Sequence, residues 1–409
     1  MIDNPFIQGG AILTIGNFFI SFLNYIFNLF AGRLLGPQGY GEITALFSYT
    51  LIFSIPFSIF SNLIIQKIGS KENNQLLFVK MLHNWFFSKL KKWSFLIFFL
   101  ILSAPFLPRL TNLSPFVSYS FIILIILYLF TVIYTSTLLA LRFFLVFILI
   151  SILGVLIKLS GILFVYFGID GVNTIIFFTI LSSLITFIIY YLFIRKEIIS
   201  KIEVSKKLEK RLIILLSEKY TLITIFSILG ITLLNNIDII FVKKFFSPLD
   251  AGLYSAWSLF AKIIFYIIGP IVSISYIFFT STKKNNQKNI LFLTVSLIIS
   301  ISFFAFIFYS MFPEIIINIF FGKQFYLISK NLGLAAFFGM FYSLITLMNN
   351  YFLAKKNLTS LITIIIIPFY VISLFIFNQT IQNIMIVNII YSFITMTSYF
   401  CGYLFLKQR

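Results

Sequence analysis

Apolar residues in this chain run in long blocks, and short polar breaks between the blocks hold most of the charged residues. A block of roughly 17 to 25 apolar residues is long enough to cross a bilayer as a helix. Twelve such blocks predict an all-α, polytopic membrane protein. The predicted spans are residues 7–32, 42–66, 93–112, 115–139, 143–167, 171–194, 219–242, 249–279, 289–312, 326–353, 358–377 and 384–406.

Composition supports a membrane protein, because 60% of the 409 residues are apolar and only 10% are charged. An ordinary soluble domain is roughly 25% charged. The chain has one cysteine, Cys401, and one histidine, His83. These counts exclude an internal disulfide and a Cys/His metal cluster. We therefore predict no catalytic residues, no metal and no cofactor.

The net charge of +19 would suit a nucleic-acid partner in a soluble protein, so the position of the basic residues matters. When loops are assigned to alternate sides, 22 Lys and Arg residues fall on one side and six on the other. The positive-inside rule then places both termini in the cytoplasm. We predict a multi-pass protein of the cytoplasmic membrane, with the lipid bilayer and not nucleic acid as its partner.

A polar stretch divides the spans into six and six. We predict an N-terminal six-helix lobe at 1–194, a basic cytoplasmic linker at 195–218 and a C-terminal six-helix lobe at 219–409. A short sequence phrase also occurs twice, at 33–41 after the first span and at 244–252 after the seventh. The two copies align when one is shifted by 211 residues. Duplicated halves of this kind are typical of transporters.

Polar residues form stripes along several spans. At 100° per residue, the stripes on spans 1 and 7 each lie within about 80°. Lipid cannot satisfy these groups, so they face either other helices or a wet cavity. The matching stripes favour a cavity between the lobes, with Asn24 and Asn235 in its lining. The stripes comprise Asn17, Ser21, Asn24 and Asn28; Thr224, Ser227, Asn235 and Asp238; and, on span 12, Asn388, Ser392, Thr395 and Tyr399.

Three charges lie deep in apolar spans, where each costs at least about 2.5 kcal/mol. Lys158 and Lys262 each share a helix face with glycine and serine, which leaves room for water or a ligand. Snorkelling to an interface is the alternative, but both lysines lie far from their helix ends. Asp238 is either a proton- or sodium-coupling group or a structural partner for a nearby lysine.

Three segments resemble the oligosaccharide flippases that move O-antigen and other polysaccharide repeat units. They are residues 33–41, 238–256 and 312–322. The resemblance implies two six-helix lobes in a V around a central cationic cavity, and alternating access. It places the chain in a superfamily with multidrug antiporters and the lipid II flippase. It also implies that Lys158 and Lys262 are cavity cations, with Arg33 and Lys244 at the outer rim.

The predicted function is to flip polyprenyl-pyrophosphate-linked oligosaccharides for polysaccharide biosynthesis, with polysaccharide assembly proteins as conceivable further partners. The alternatives are a multidrug or ion antiporter of the same superfamily, and an integral-membrane polysaccharide polymerase or glycosyltransferase. An enzyme would need acid-base groups in a sizeable outer loop, and the predicted outer loops are short. The predicted substrate-binding residues are Lys158, Lys262, Arg33, Lys244, Asn24 and Asn235, with Asp238 as the ion-coupling residue.

Overall fold

Helices joined by short turns make up the computed structural model, which describes residues 5–69, 75–198, 219–281 and 284–408, with no strand among them. The all-α prediction is confirmed. Short 3-10 segments lie at Ala104–Phe106, Lys323–Asn331 and Leu358–Leu361. The helices are α1 (Pro5–Gly69), α2 (Gln75–Leu102), α3 (Leu107–Thr111), α4 (Pro115–Ala140), α5 (Phe144–Tyr166), α6 (Gly171–Glu197), α7 (Lys219–Leu234), α8 (Ile237–Phe245), α9 (Pro248–Ser281), α10 (Lys284–Met311), α11 (Pro313–Phe320), α12 (Leu332–Ala354), α13 (Ile362–Ile376) and α14 (Ile381–Gln408).

Nine helices in the described part of the chain are long and apolar enough to cross a membrane, or ten if the bent pair α7 and α8 is one span. Helices α4, α5 and α6 match their predicted spans within three residues. Helix α1 runs through two predicted spans, and its 65 residues would extend roughly 100 Å, far more than one bilayer crossing. A kink at Gly36 separates its two halves.

Helix α2 begins at residue 75, well before the span predicted at 93–112. The reason is that the Lys-rich stretch 78–92 is helical and continues without a break into the apolar residues after it. Because of these lysines, α2 is too polar to be counted among the helices that could span a membrane. The linker predicted at 195–218 lies outside the described residues from residue 199 onward.

Contacts divide the chain into two units. The first comprises Met1–Phe27 with Phe53–Thr221, and the second comprises Asn28–Ile52 with Leu222–Arg409. The segment around the first repeated phrase therefore packs with the C-terminal half of the chain. The prediction of lobes at 1–194 and 219–409 followed chain order and did not anticipate this exchange.

In the first unit, α6 packs against both α4 and α5. A hydrophobic core in this unit buries Phe86, Tyr134 and Leu138. Farther along, Ser182 on α6 donates to the carbonyl oxygen of Gly154 on α5 at 2.6 Å. Small residues allow this close approach of two helices, which lipid alone does not drive.

In the second unit, α9 lies against α12. Trp257 of α9 is fully buried, stacks on Phe338 with ring centroids 5.8 Å apart, and donates its indole N–H to the carbonyl oxygen of Asn331 at 2.9 Å. Ser247 caps the start of α9, because the backbone N–H of Asp250 donates to Ser247 Oγ at 3.1 Å.

The two copies of the repeated phrase meet inside the second unit. A Cβ at Gly41 would lie 2.8 Å from the backbone nitrogen of Gly252, its equivalent in the second copy. Thr44 donates to Ser255 Oγ at 2.7 Å, and these two residues are also separated by 211 positions. Contact between equivalent residues is what an approximate two-fold axis produces. The duplication read from the sequence is thus reflected in the packing.

We predict that Gly252→Ala destabilises the protein. A Cβ at this position would lie 1.7 Å from the carbonyl oxygen of Pro37, so the backbone must shift. Overpacking of this kind costs about 1–3 kcal/mol, and the apparent melting temperature of the detergent-purified protein should fall. Gly269→Ala on the same helix is the matched control, because a Cβ there meets nothing within 4 Å. Equal effects of both variants would contradict the role assigned to Gly252.

Candidate functional site

A break between two helices positions the buried carboxylate of the second unit. Helices α7 and α8 are bent by 43° at Asn235 and Asn236. The Asn236 amide donates to the carbonyl oxygen of Thr232 at 2.9 Å. Asparagine side chains compete with helical hydrogen bonds in this way and favour a turn. The break leaves Asp238 in the first turn of α8.

Three polar residues from three other helices surround Asp238, which is fully buried. Tyr254 of α9 donates to Asp238 Oδ2 at 2.5 Å, and the amide of Asn388 on α14 donates to the same oxygen at 2.8 Å. Tyr370 of α13 donates to the side-chain amide oxygen Oδ1 of Asn388. Charge-assisted bonds of this kind are among the strongest in proteins.

The other carboxylate oxygen, Asp238 Oδ1, accepts no hydrogen bond from the described residues. The side-chain oxygens of Asn235, Asn236 and Ser392 are likewise buried and lack a hydrogen-bond partner there. Asn235 and Asn236 sit at the helix break, and Ser392 lies one turn beyond Asn388. Such orphaned buried oxygens require an explanation, and oxygen donors are the ligands that hard cations prefer.

Lys262 lies two turns beyond Tyr254 on α9 and is partly buried. The contacts that Asp238 makes among the described residues do not include Lys262. Asp238 is thus held by tyrosine and asparagine donors.

Lys158 occupies the first unit, on α5. Its Nζ lies 3.8 Å from the centroid of the Phe27 ring and donates to Asn24 Oδ1 at 3.4 Å. The structure therefore brings together two residues that the sequence singled out separately, Lys158 and Asn24. The ring face attracts the cation, and the amide oxygen gives it a polar partner. Lys158 also borders a cavity of about 220 Å³.

Arg33 and Lys244, predicted at an outer rim, both lie in the second unit. Arg33 is exposed and donates to the carbonyl oxygen of Ile319 at 3.2 Å, while Gln324 donates to the backbone carbonyl of Arg33 at 3.0 Å. Lys244 is partly buried. Its neighbour Lys243 is the more deeply placed cation, 3% exposed and 3.5 Å from Glu42 Oε1.

Sequence reasoning missed several members of these sites. Tyr370 stands in a strongly apolar span, where nothing in the local pattern marks it. Asn388 belonged to the stripe predicted on span 12, and that stripe is buried at Asn388, Ser392, Thr395 and Tyr399. Pairing this stripe with the one on span 7 would have found the partner of Asp238.

No protein-family model and no curated protein matches this sequence. Solved structures with the same fold include the lipid II flippase MurJ in an inward closed conformation, with 16% identity, 96% of this chain and 87% of that chain covered, and a TM-score of 0.71. A multidrug resistance MATE family transporter of the MOP superfamily, inward-facing, gives 15% identity, 95% and 94% coverage, and a TM-score of 0.69.

A third similar structure is a MOP superfamily transporter from Pyrococcus furiosus, for which a reversed polarity of the binding pocket suggests a different function. It shares 14% identity over 98% of this chain and 95% of that chain, with a TM-score of 0.59. The chain thus has the fold of MOP superfamily transporters.

We predict that Glu42→Gln lowers stability by about 3 kcal/mol, because it leaves Lys243 buried without its charge partner. The double variant Glu42→Gln with Lys243→Met should recover most of this loss, since no unpaired charge remains. Thermal unfolding of the detergent-purified variants measures both effects. Glu314→Gln, at an exposed position, is the control. A double variant as unstable as the single one would argue against the ion pair.

Proposed function

We propose that this protein is a membrane transporter that flips polyprenyl-pyrophosphate-linked oligosaccharide repeat units across the cytoplasmic membrane by alternating access. The observation that carries the proposal is the pair of lysines, Lys158 and Lys262, inside apolar helices of a chain with a transporter fold. An ionised side chain at membrane depth is costly and is retained chiefly where it serves transport.

The chemistry of the cargo accounts for the sign of these charges. A pyrophosphate group cannot cross hydrocarbon unaided, and cations in a wet space lower its transfer cost. Its lipid tail needs no such help and can remain in the bilayer. Flipping makes and breaks no covalent bond, so the proposal requires no catalytic group and no cofactor.

Asp238 is the proposed site of ion coupling. It adjoins a broken helix, the arrangement in which transporters bind coupling ions. One of its oxygens and three neighbouring side-chain oxygens lack hydrogen-bond partners among the described residues. A sodium ion would use these oxygens as ligands, and a proton would neutralise the carboxylate. Ion binding and release would then alternate with movement of the cargo.

A multidrug antiporter is the second candidate, favoured by the likeness to a multidrug MATE transporter and by the buried carboxylate of Asp238. Cationic drugs, however, would be repelled by Lys158 and Lys262. The deep positive charges therefore favour an anionic cargo. The orientation with both termini in the cytoplasm is part of the same proposal and rests on the distribution of Lys and Arg.

We predict that the purified protein, reconstituted in vesicles, moves a polyprenyl-pyrophosphate sugar between leaflets without altering it. Lys158→Gln and Lys262→Gln should each lower the rate at least about tenfold, because one charge-assisted contact is lost. Protection of the glycan from an external modifying reagent measures the movement. Lys330→Gln, at an exposed position, is the matched control.

Export of cationic dyes with no movement of the lipid-linked sugar would support the antiporter instead. A cleaved or extended glycan would contradict both transport functions. If both lysine variants insert and transport normally, Lys158 and Lys262 are structural.

We predict that Asp238→Asn abolishes the response of transport to an imposed sodium or proton gradient. The amide keeps the shape of the side chain but cannot bind a coupling ion as a carboxylate does. Transport rates are compared with and without each gradient, together with the apparent melting temperature. A lower melting temperature with an intact gradient response would assign Asp238 the structural role that the sequence also allowed.

A further inference from the structure

The cavity beside Lys158 is lined mainly by side chains that carry a hydroxyl group. It lies within the first unit, between α4, α5 and α6, and seven of its ten lining residues carry a hydroxyl group. Its volume is about 220 Å³, and it is open to its surroundings, so one sugar ring of a larger ligand could occupy it.

The hydroxyl groups of α6 that line the cavity each donate their proton to a backbone carbonyl oxygen of the protein. Ser182 donates to the carbonyl oxygen of Gly154 at 2.6 Å, and Ser183 donates to that of Thr179 at 3.0 Å. Thr186 donates to the carbonyl oxygen of Ser182 at 2.8 Å. A hydroxyl has one proton to donate and two lone pairs to accept with. These three side chains therefore keep acceptor capacity only.

The remaining hydroxyls follow the same rule. On α4, Thr131 donates to the carbonyl oxygen of Leu127 at 2.8 Å, and Thr135 donates to that of Val132 at 3.1 Å. Tyr190 donates to the carbonyl oxygen of Phe147 at 3.1 Å. Ser151, 2.8 Å from the Tyr190 hydroxyl, is then the donor of that pair. All seven hydroxyls thus offer the cavity lone pairs and no protons.

Lys158 supplies the only N–H donors among the residues that line this cavity. A ligand that fits such a wall must carry many donors of its own and at least one acceptor group. Amine cations have donors but are repelled by the lysine charge. Simple anions have acceptors but cannot bond to a wall of lone pairs. A ring with several hydroxyls and one carboxylate meets both conditions.

We propose that this cavity is a subsite for one acidic sugar ring, a hexuronate, with its hydroxyls donating to the wall and its carboxylate toward Lys158. The proposal rests on the proposed function, since the ring would belong to the transported glycan. It names a class of sugar for the cargo, which the positive charges alone do not.

Ligand-observed NMR on the full-length protein in detergent tests the subsite without requiring transport. The probes are glucuronate, glucose, acetate and tetramethylammonium. Glucuronate should bind about tenfold more tightly than glucose, because the carboxylate adds one charge-assisted bond. Acetate and tetramethylammonium should show no saturable binding that glucuronate displaces.

Two variants probe the two halves of the site. Lys158→Met should weaken glucuronate binding about tenfold more than glucose binding, so that the preference for glucuronate is lost. Thr186→Val keeps the shape of the wall but removes an acceptor, and should weaken both sugars about threefold. Thr179→Val is the matched control, since Thr179 lies on the same helix, donates to the Ile175 carbonyl oxygen and does not line the cavity.

Equal binding of acetate and glucuronate would overturn the proposal in favour of a simple anion site. Absence of sugar binding, or equal effects of Thr186→Val and Thr179→Val, would also overturn it. Sugar binding without movement of lipid-linked glycans would instead contradict the proposed function, so the two failures are distinguishable.

Discussion

The structure depends on one constraint, which is that hydrocarbon offers no hydrogen-bond partner to a polar group. Many hydroxyl groups in the described helices find a hydrogen-bond partner in their own helix. Thr131, for example, donates to the backbone carbonyl oxygen one turn earlier. Asp238 accepts hydrogen bonds from residues on other helices. Lys158 donates to an amide oxygen and lies over an aromatic ring. A few buried side-chain atoms of the described residues, such as Asp238 Oδ1, have no hydrogen-bond partner there.

The same constraint gives the small residues their importance. Helices in lipid associate through close packing, because apolar surface gains nothing by leaving a lipid for another helix. The contact of Gly41 with Gly252 lets two backbones touch, and Thr44 and Ser255 bond beside it. This contact joins the first repeated phrase to the second. Both segments lie in the second unit, so the contact holds that unit together.

Much of the fold was predictable because hydropathy is a local property of the chain. Helices α4, α5 and α6 follow directly from it. The prediction was wrong about the start of α2, because lysines at 80–92 lower hydropathy without interrupting the helix. It also did not foresee that 28–52 packs with the C-terminal half, since chain order carries no information about such exchange.

Hydropathy and charge along the chain identify a helical membrane protein with a duplicated phrase and with two lysines and an aspartate in apolar stretches. The contacts of those charges depend on which distant helices pack together. Asn388 reaches Asp238 from 150 residues away, and Lys158 and Asn24 are 134 residues apart. Which of two adjacent lysines is buried, Lys243 or Lys244, was likewise settled only by packing against Glu42. Burial cost follows from residue type and position in a span, but the partners that offset it come from distant helices.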